Sequence, residues 1–304
     1  MPLAATRSEL LKKRADQFKR VLHAVEKGDI RALHQARVAS RRIRELIPVL
    51  QIGSTAARKL GRRLRKVTAR LGSVRELDVL VLLIGELHVS GRRAHGGLGR
   101  VGVRVAKSRD QARKKLLGRL PLAELARLAR KLDRLAARLK ESERASSKGA
   151  ARSWRWGIDA RVVKRASRVS TALADAGALY LPERLHRVRL AVKKLRYAME
   201  LATEAAGQSG GADLRLLKRS QDLLGRMHDL QMLIDEARKT QASLAPPSLA
   251  VWRDLDTLVA SLEDDCRRLH ARFMALHDAL ADLARRQSDQ TPSILARAPS
   301  RRAG

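Results

Sequence analysis

A chain that carries the same pattern twice has few folds open to it, and this chain does so in two separate places. Leu33-His34-Gln35-Ala36-Arg37-Val38-Ala39-Ser40-Arg41-Arg42-Ile43-Arg44 is matched by Leu185-His186-Arg187-Val188-Arg189-Leu190-Ala191-Val192-Lys193-Lys194-Leu195-Arg196, an offset of 186 − 34 = 152. Farther on, Leu71-Gly72-Ser73-Val74-Arg75-Glu76-Leu77-Asp78 is matched by Leu224-Gly225-Arg226-Met227-His228-Asp229-Leu230-Gln231, with 225 − 72 = 153. A near-constant offset across separated segments implies duplication of a whole four-helix unit. The expected architecture is all-α: two four-helix bundles related by a pseudo-two-fold axis, in repeats 5–142 and 151–286 of one domain.

The helical reading rests on period. Apolar residues recur at helical spacing in nearly every long segment, and sustained alternating or Val/Ile/Thr-rich strand patterns are missing. Helices are expected over 8–26, 29–50, 54–87, 103–141, 151–176, 182–206, 212–239 and 247–286. Asp29 and Ser54 suit N-caps, Pro182 suits a first helical position, and Gly28, Gly53 and Gly207 suit helix ends. Pro121 should kink or break the fourth helix. Segments 90–102 and 206–211 read as loops, 142–149 as a linker and 288–304 as a disordered tail. Gly72 and Gly225 occupy one repeat position, where a kink or close helix crossing is expected.

The repeated segment has two distinct faces. At about 100° per residue, Arg37, Arg41 and Arg44 share a narrow stripe with His34. Ala36, Ala39, Ile43, Leu46, Ile47 and Leu50 lie opposite and face the core. The second copy sets His186, Arg189, Lys193 and Arg196 on the same stripe, with Ala191, Val192, Leu195, Ala198 and Met199 behind. Arg42 and its counterpart Lys194 flank the two stripes. Neither segment, 34–44 or 186–196, contains an acid. Like charges at i,i+3 and i,i+4 each cost about 0.2–0.5 kcal/mol, so an unrelieved stripe kept twice points to anion binding over a merely solvated face. Arg62, Arg65 and Lys66 correspond to Arg215, Lys218 and Arg219 at the 153 offset, and these stripes are expected to line one basic channel.

Charge sets the partner class. Lys and Arg number 65 against 31 Asp and Glu, a formal charge of +34, while 44% of residues are apolar, so this is a folded polycation rather than a basic tail. Phe18, Trp154, Trp156, Tyr180, Tyr197, Trp252 and Phe273 are its only aromatics. Single-stranded nucleic acid is usually held by stacking bases on aromatic platforms, so the preferred anion need not carry a base. The excess of Arg over Lys suits forked contacts to phosphate, and also a GC-rich coding sequence. Cys266 is the only cysteine, which excludes an internal disulfide and fits a reducing cytosol. The longest apolar run, 79–84, is far below the roughly 20 residues of a membrane span, and no signal peptide is read at the start.

His34-x-x-Arg37-x-x-x-Arg41-Arg42-Ile43-Arg44 followed by Leu71-Gly72-x-x-Arg75-Glu76-x-Asp78, with a looser copy from His186, resembles the CHAD family, the histidine-marked α-helical domain that binds inorganic polyphosphate. The resemblance spans about residues 5–286. It implies two four-helix bundles around a basic central channel, polyphosphate held electrostatically, association with polyphosphate granules in the cytoplasm, and no catalysis. The residues it carries over are the stripe positions together with Arg75 and, at the equivalent position, His228. In this chain Glu76 replaces the usual Asp, and His228 replaces the arginine.

Other readings carry less. Gly97-Leu98-Gly99-Arg100-Val101-Gly102 satisfies Gly-x-Gly-x-x-Gly, but no strand precedes it as a dinucleotide site requires, so it reads as a flexible loop. His228-Asp229 looks like half of a phosphohydrolase metal pair, yet its repeat counterpart is an arginine. Glu263, Asp264 and Asp265 point about 100° apart and form no carboxylate face. No metal and no cofactor are expected. The runner-up function is nonspecific binding of double-stranded DNA or RNA, which a charge of this size attracts. Neutral histidines among cations should protonate when a polyanion binds, so affinity is expected to rise on acidification.

Overall fold

The computed structural model describes residues 5–27, 29–89, 96–119, 122–145, 148–208, 210–244 and 248–289. Among them there is no strand. The α-helices are α1 (Arg7–Glu26), α2 (Ile30–Leu46), α3 (Ser54–Val89), α4 (Gly96–Arg119), α5 (Leu122–Ala145), α6 (Lys148–Ala176), α7 (Pro182–Ala205), α8 (Ala212–Ala242), α9 (Leu249–Met274) and α10 (His277–Ser288). No described helix is long and apolar enough to cross a membrane.

The ends follow local chemistry. Thr6 and Glu9 form a reciprocal capping box at α1. The Asp29 carboxylate accepts the Ala32 N–H at 2.6 Å, and Pro182 opens α7, where its missing N–H costs nothing. Gly207, at φ 68°, ends α7 in a Schellman turn: its N–H donates to the Glu204 carbonyl while Gln208 N–H reaches Thr203. Gly28 lies outside the described residues.

One expectation about the elements is met and three are corrected. Segment 103–141 is two helices, α4 and α5, a break expected of Pro121, which itself lies outside the described residues. Segment 247–286 is also two, because the Ala275 and Leu276 N–H groups close the end of α9 onto Ala271 and Phe273 before α10 begins. Residues 96–102, expected as a loop, form the first turns of α4. A Cβ on Gly97 would stand 3.2 Å from the Asp254 backbone, so the Gly-rich motif lets α4 cross α9 closely. The linker 142–149 is helical through Ala145 and again from Lys148, and of the tail only 288–289 are described. Among the described residues, five α-helices lie between Arg7 and Ala145 and five between Lys148 and Ser288.

The interior falls into three apolar clusters. One joins α1, α2, α5 and the first half of α3 around Phe18, Ile43, Leu64 and Leu132. A second joins α6, α7, α10 and the first half of α8 around Val169, Val192, Leu217 and Leu283. The third gathers the second halves of α3 and α8 with α4 and α9 around Leu83, Val101, Ile234 and Leu258. The two long helices thus serve two clusters each. Val188, Val192 and Leu195 are buried on α7 as Ala36, Ala39 and Ile43 are on α2, which turns both basic stripes out of their own cores.

Charge also joins the repeats. Glu45 of α2, only 8% exposed, accepts a hydrogen bond from Arg161 of α6 at 2.5 Å and has Arg165 at 3.6 Å. Near it stand Arg44 and Lys194. Removing the carboxylate leaves two partly buried arginines uncompensated. Glu45→Ala is therefore expected to destabilise the fold by about 3 kcal/mol in chemical denaturation; a loss below about 1 kcal/mol, the value of a surface pair, contradicts this role.

Candidate functional site

The stripes of α2 and α7 approach each other. Lys193 is pulled down to about 7, first by burial and then by Arg41, Arg189, Arg37 and Arg196. Arg41 and Arg37 belong to α2, so Lys193 faces the other repeat's stripe as well as its own. Arg189 is lowered by burial and by Arg41, against which Asp229 and Glu76 act. Arg37 is lowered by burial, Arg41 and Arg75, opposed by Glu76. Arginine stays charged under such shifts, so the cluster holds its charge at neutral pH and Lys193 is the member that yields.

Histidines border it. His186 and His228 bring their Nδ1 atoms to 3.3 Å, with ring centroids 4.6 Å apart, so in the neutral pair one ring donates and the other accepts. Burial, then Arg189, His186 and Lys193, push His228 down to about 4. His186 is lowered by burial, Arg189 and Lys193. His34, more exposed, is lowered by burial and by Arg75, Arg37 and Arg41. All three are pushed toward the neutral imidazole; one N–H of the His186–His228 pair is spent on the neighbouring ring, so the pair keeps one N–H for an anion and His34 keeps its own.

Two residues of the α3 motif position this cluster. Gly72 lies inside an unbroken α3, not at an interruption, and a Cβ there would sit 2.5 Å from an Arg37 guanidinium nitrogen. The missing side chain makes the seat on which Arg37 rests. Gly225, its counterpart in an equally continuous α8, has nothing within 4 Å of that position. Asp78 is 4% exposed, and its carboxyl is raised by burial while Arg75, Arg109 and Arg113 oppose that shift. Its charge offsets part of that of Arg75.

The structure distributes the remaining expected residues elsewhere. Arg44 joins the Glu45 group, close to Arg41 and Arg65, and Lys194 lies by Arg165 and Arg168. Together they form a second basic ridge beside the first. Arg42 is paired with Glu200 at 3.8 Å, and Arg196 is held by Glu200 and by Gln221 at 2.9 Å. Glu200 stands one turn past the second stripe, so that stripe is relieved at its end. Arg62 and Lys66 are exposed on α3 without an ion-pair partner among the described residues. Arg215, Lys218 and Arg219 line a separate groove with α9. Asp229, Glu76, Asp78 and Tyr197 were not among the expected site residues. Asp229 had been visible only as half of a metal pair, and the other three sit inside or next to the repeated motifs.

Among the described residues no three His, Cys, Asp or Glu side chains converge to hold a metal. His228 pairs with His186, and Asp229 acts on Arg189. Glu263, Asp264 and Asp265 each pair with a different arginine, Arg238, Arg267 and Arg268.

Fold and site define a protein that is all-helical in its described residues and whose like charges are concentrated where α2 and α7 meet. The chain belongs to the CHAD domain family, whose model matches residues 9–238. No protein of curated function matches it. Two solved structures share its fold: PptA from Streptomyces chartreusis, with TM-score 0.64 and 18% identity over 91% of this chain and 99% of that one, and the CHAD domain from the plant Ricinus communis, with TM-score 0.60 and 22% identity over 90% and 94%. The family match stops within α8, whereas both structural likenesses extend over about nine-tenths of the chain.

The Gly72 seat is directly testable. Alanine is favoured over glycine inside a helix by about 1 kcal/mol, so Gly225→Ala should stabilise the fold and leave anion affinity unchanged. Gly72→Ala should gain less, because its methyl displaces Arg37, and should weaken polyanion binding several-fold by titration calorimetry. Equal affinities for the two variants would remove Arg37 from the site.

Proposed function

We propose that this protein binds inorganic polyphosphate without turning it over, and that the chain of phosphates lies along the cluster where α2 and α7 meet. The observation that carries this reading is the crowding of Arg37, Arg41, Arg75, Arg189 and Lys193 around three carboxylates among the described residues, Glu76, Asp78 and Asp229. A cluster of this kind loses free energy by self-repulsion, and a polyanion that enters it relieves that cost. Arginine supplies forked N–H donors to phosphate oxygens, Lys193 a mobile point charge, and His34 and one ring of the His186–His228 pair an N–H each. Released counterions supply much of the affinity, which should therefore fall steeply with salt.

The non-catalytic part of the proposal follows from what the nearby acids do. Asp229, Glu76 and Asp78 each act on an arginine, and Asp78 is buried. A basic central channel formed by the two repeats, with association to polyphosphate granules in the cytoplasm, belongs to the same proposal. The second basic ridge, Arg44, Lys194 and Arg165, lies next along the path and would extend it.

Reversing Arg37, Arg41, Arg189 and Lys193 to Glu should abolish polyphosphate binding in a filter or anisotropy assay while the helical circular dichroism persists. Long polyphosphate should also displace duplex DNA from the native protein at far lower phosphate concentration than the reverse. Retained affinity in the quadruple variant would put the site elsewhere, and equal mutual displacement would favour nonspecific duplex binding.

A further inference from the structure

The basic residues of α8 that stand apart from the central cluster build a site of different chemistry. Arg215, Lys218, Arg219, Asp222 and Arg226 share one face and form one wall of an open groove of about 760 Å³. Its other side is the end of α9 and the α9–α10 turn. Leu223, Leu269 and Leu276, all partly exposed, give it an apolar floor, and Arg272 stands on the far rim.

Not all of this charge is available. Lys218 is paired with Asp222 at 3.0 Å, and Glu86 of α3 holds Arg226 through two hydrogen bonds of 2.9 and 2.7 Å. Arg215, Arg219 and Arg272 have no carboxylate partner among the described residues. The groove therefore presents leucines between unpaired arginines. A bare phosphate chain satisfies the arginines and gains nothing from the leucines, which are worth roughly 25 cal/mol per Å² only to an apolar partner. A ligand that covers both has carboxylates beside an apolar stripe. From Arg215 to Arg226 the wall runs about 16 Å along α8, about three turns of a docked helix.

We propose that this groove docks an acidic amphipathic helix of a partner protein, with its apolar stripe on Leu223, Leu269 and Leu276 and its carboxylates against Arg215, Arg219 and Arg272. This is helix-in-groove recognition, read by side chains at i, i+3, i+4 and i+7. It is independent of polyphosphate binding and gives a protein held on a polyanion a means of recruiting a second protein.

The test uses the full chain and a labelled model peptide of about 18 residues, long enough for about five turns. Leucines occupy one helical stripe flanked by glutamates, and a control peptide of the same composition has them scattered. At physiological salt, anisotropy should show the amphipathic peptide binding at least about tenfold tighter than its control, a difference of about 1.4 kcal/mol. That preference should vanish in Arg215→Glu/Arg219→Glu and persist in Arg62→Glu/Lys66→Glu, which makes the same change in net charge at the equivalent positions of α3. It should also persist in the quadruple variant that abolishes polyphosphate binding. Equal binding of both peptides, or a preference untouched by the groove variant, overturns the proposal. So does polyphosphate displacing the peptide from the quadruple variant, since the groove would then belong to the polyphosphate path.

Discussion

Lys193 has to be accommodated beside Arg41, Arg37 and Arg189 in a half-buried place, and much else in the structure answers that requirement. Burial and like charge both disfavour its ammonium form, and together they bring it to about 7. Such crowding is normally avoided on a helix surface, where signs alternate. Here it arises because two copies of one stripe, each tolerable alone on its own helix, are turned toward each other by the packing of α2 and α7. The apolar clusters supply the force for that packing. Ile43 and Ala36 on one helix, and Val192 and Leu195 on the other, commit the opposite faces to their cores and leave the stripes where they meet.

Carboxylates then decide how much of the charge is left over. Glu45 neutralises part of the second ridge, Glu200 quiets Arg42 and Arg196, and Asp78 offsets part of the charge of Arg75. What remains unbalanced lies at Arg37, Arg41, Arg189 and Lys193. Gly72 adds a steric device to the electrostatic one by leaving space for the Arg37 guanidinium against the α3 backbone. The two copies of the sequence pattern differ in their surroundings. Gly225 seats nothing, and where the first repeat has Arg75 the second has His228, which turns to His186 instead.

Local rules made much of this legible from the residues alone. The core face of α2 was readable because Ala36, Ala39, Ile43 and Leu46 recur with the helical period, and the stripe followed from the same wheel. The break of segment 247–286 was not, since Ala275 and Leu276 are good helix formers. The chain turns there because Phe273 and Leu280 are needed in a different cluster from Leu258 and Leu262. The first turns of α4 were hidden by their glycines, which usually mark loops and here permit a close crossing with α9. The separation of Arg215 and Lys218 from the central cluster was also out of reach. Repeat correspondence assigns equivalent positions but not equivalent neighbours, and only tertiary packing sets Leu269 and Arg272 beside them. The contact of His186 with His228, 42 residues apart, is of the same kind.

If a polyanion neutralises this cluster, Lys193 must take up a proton as it binds, because phosphate nearby restores the ammonium that burial and the arginines suppress. Below about pH 7 the free protein already carries that proton and the Lys193 contribution to affinity is level, leaving any further rise to the histidines; above it, affinity should fall as the proton must come from solvent. Calorimetry of polyphosphate binding near pH 7.5, in buffers of different ionisation enthalpy, measures this directly. Net proton uptake by the native protein that is largely lost in Lys193→Arg, whose charge is permanent, is the expected result. Binding without proton uptake, or with the same uptake in Lys193→Arg, would mean that the anion does not sit where the two stripes meet.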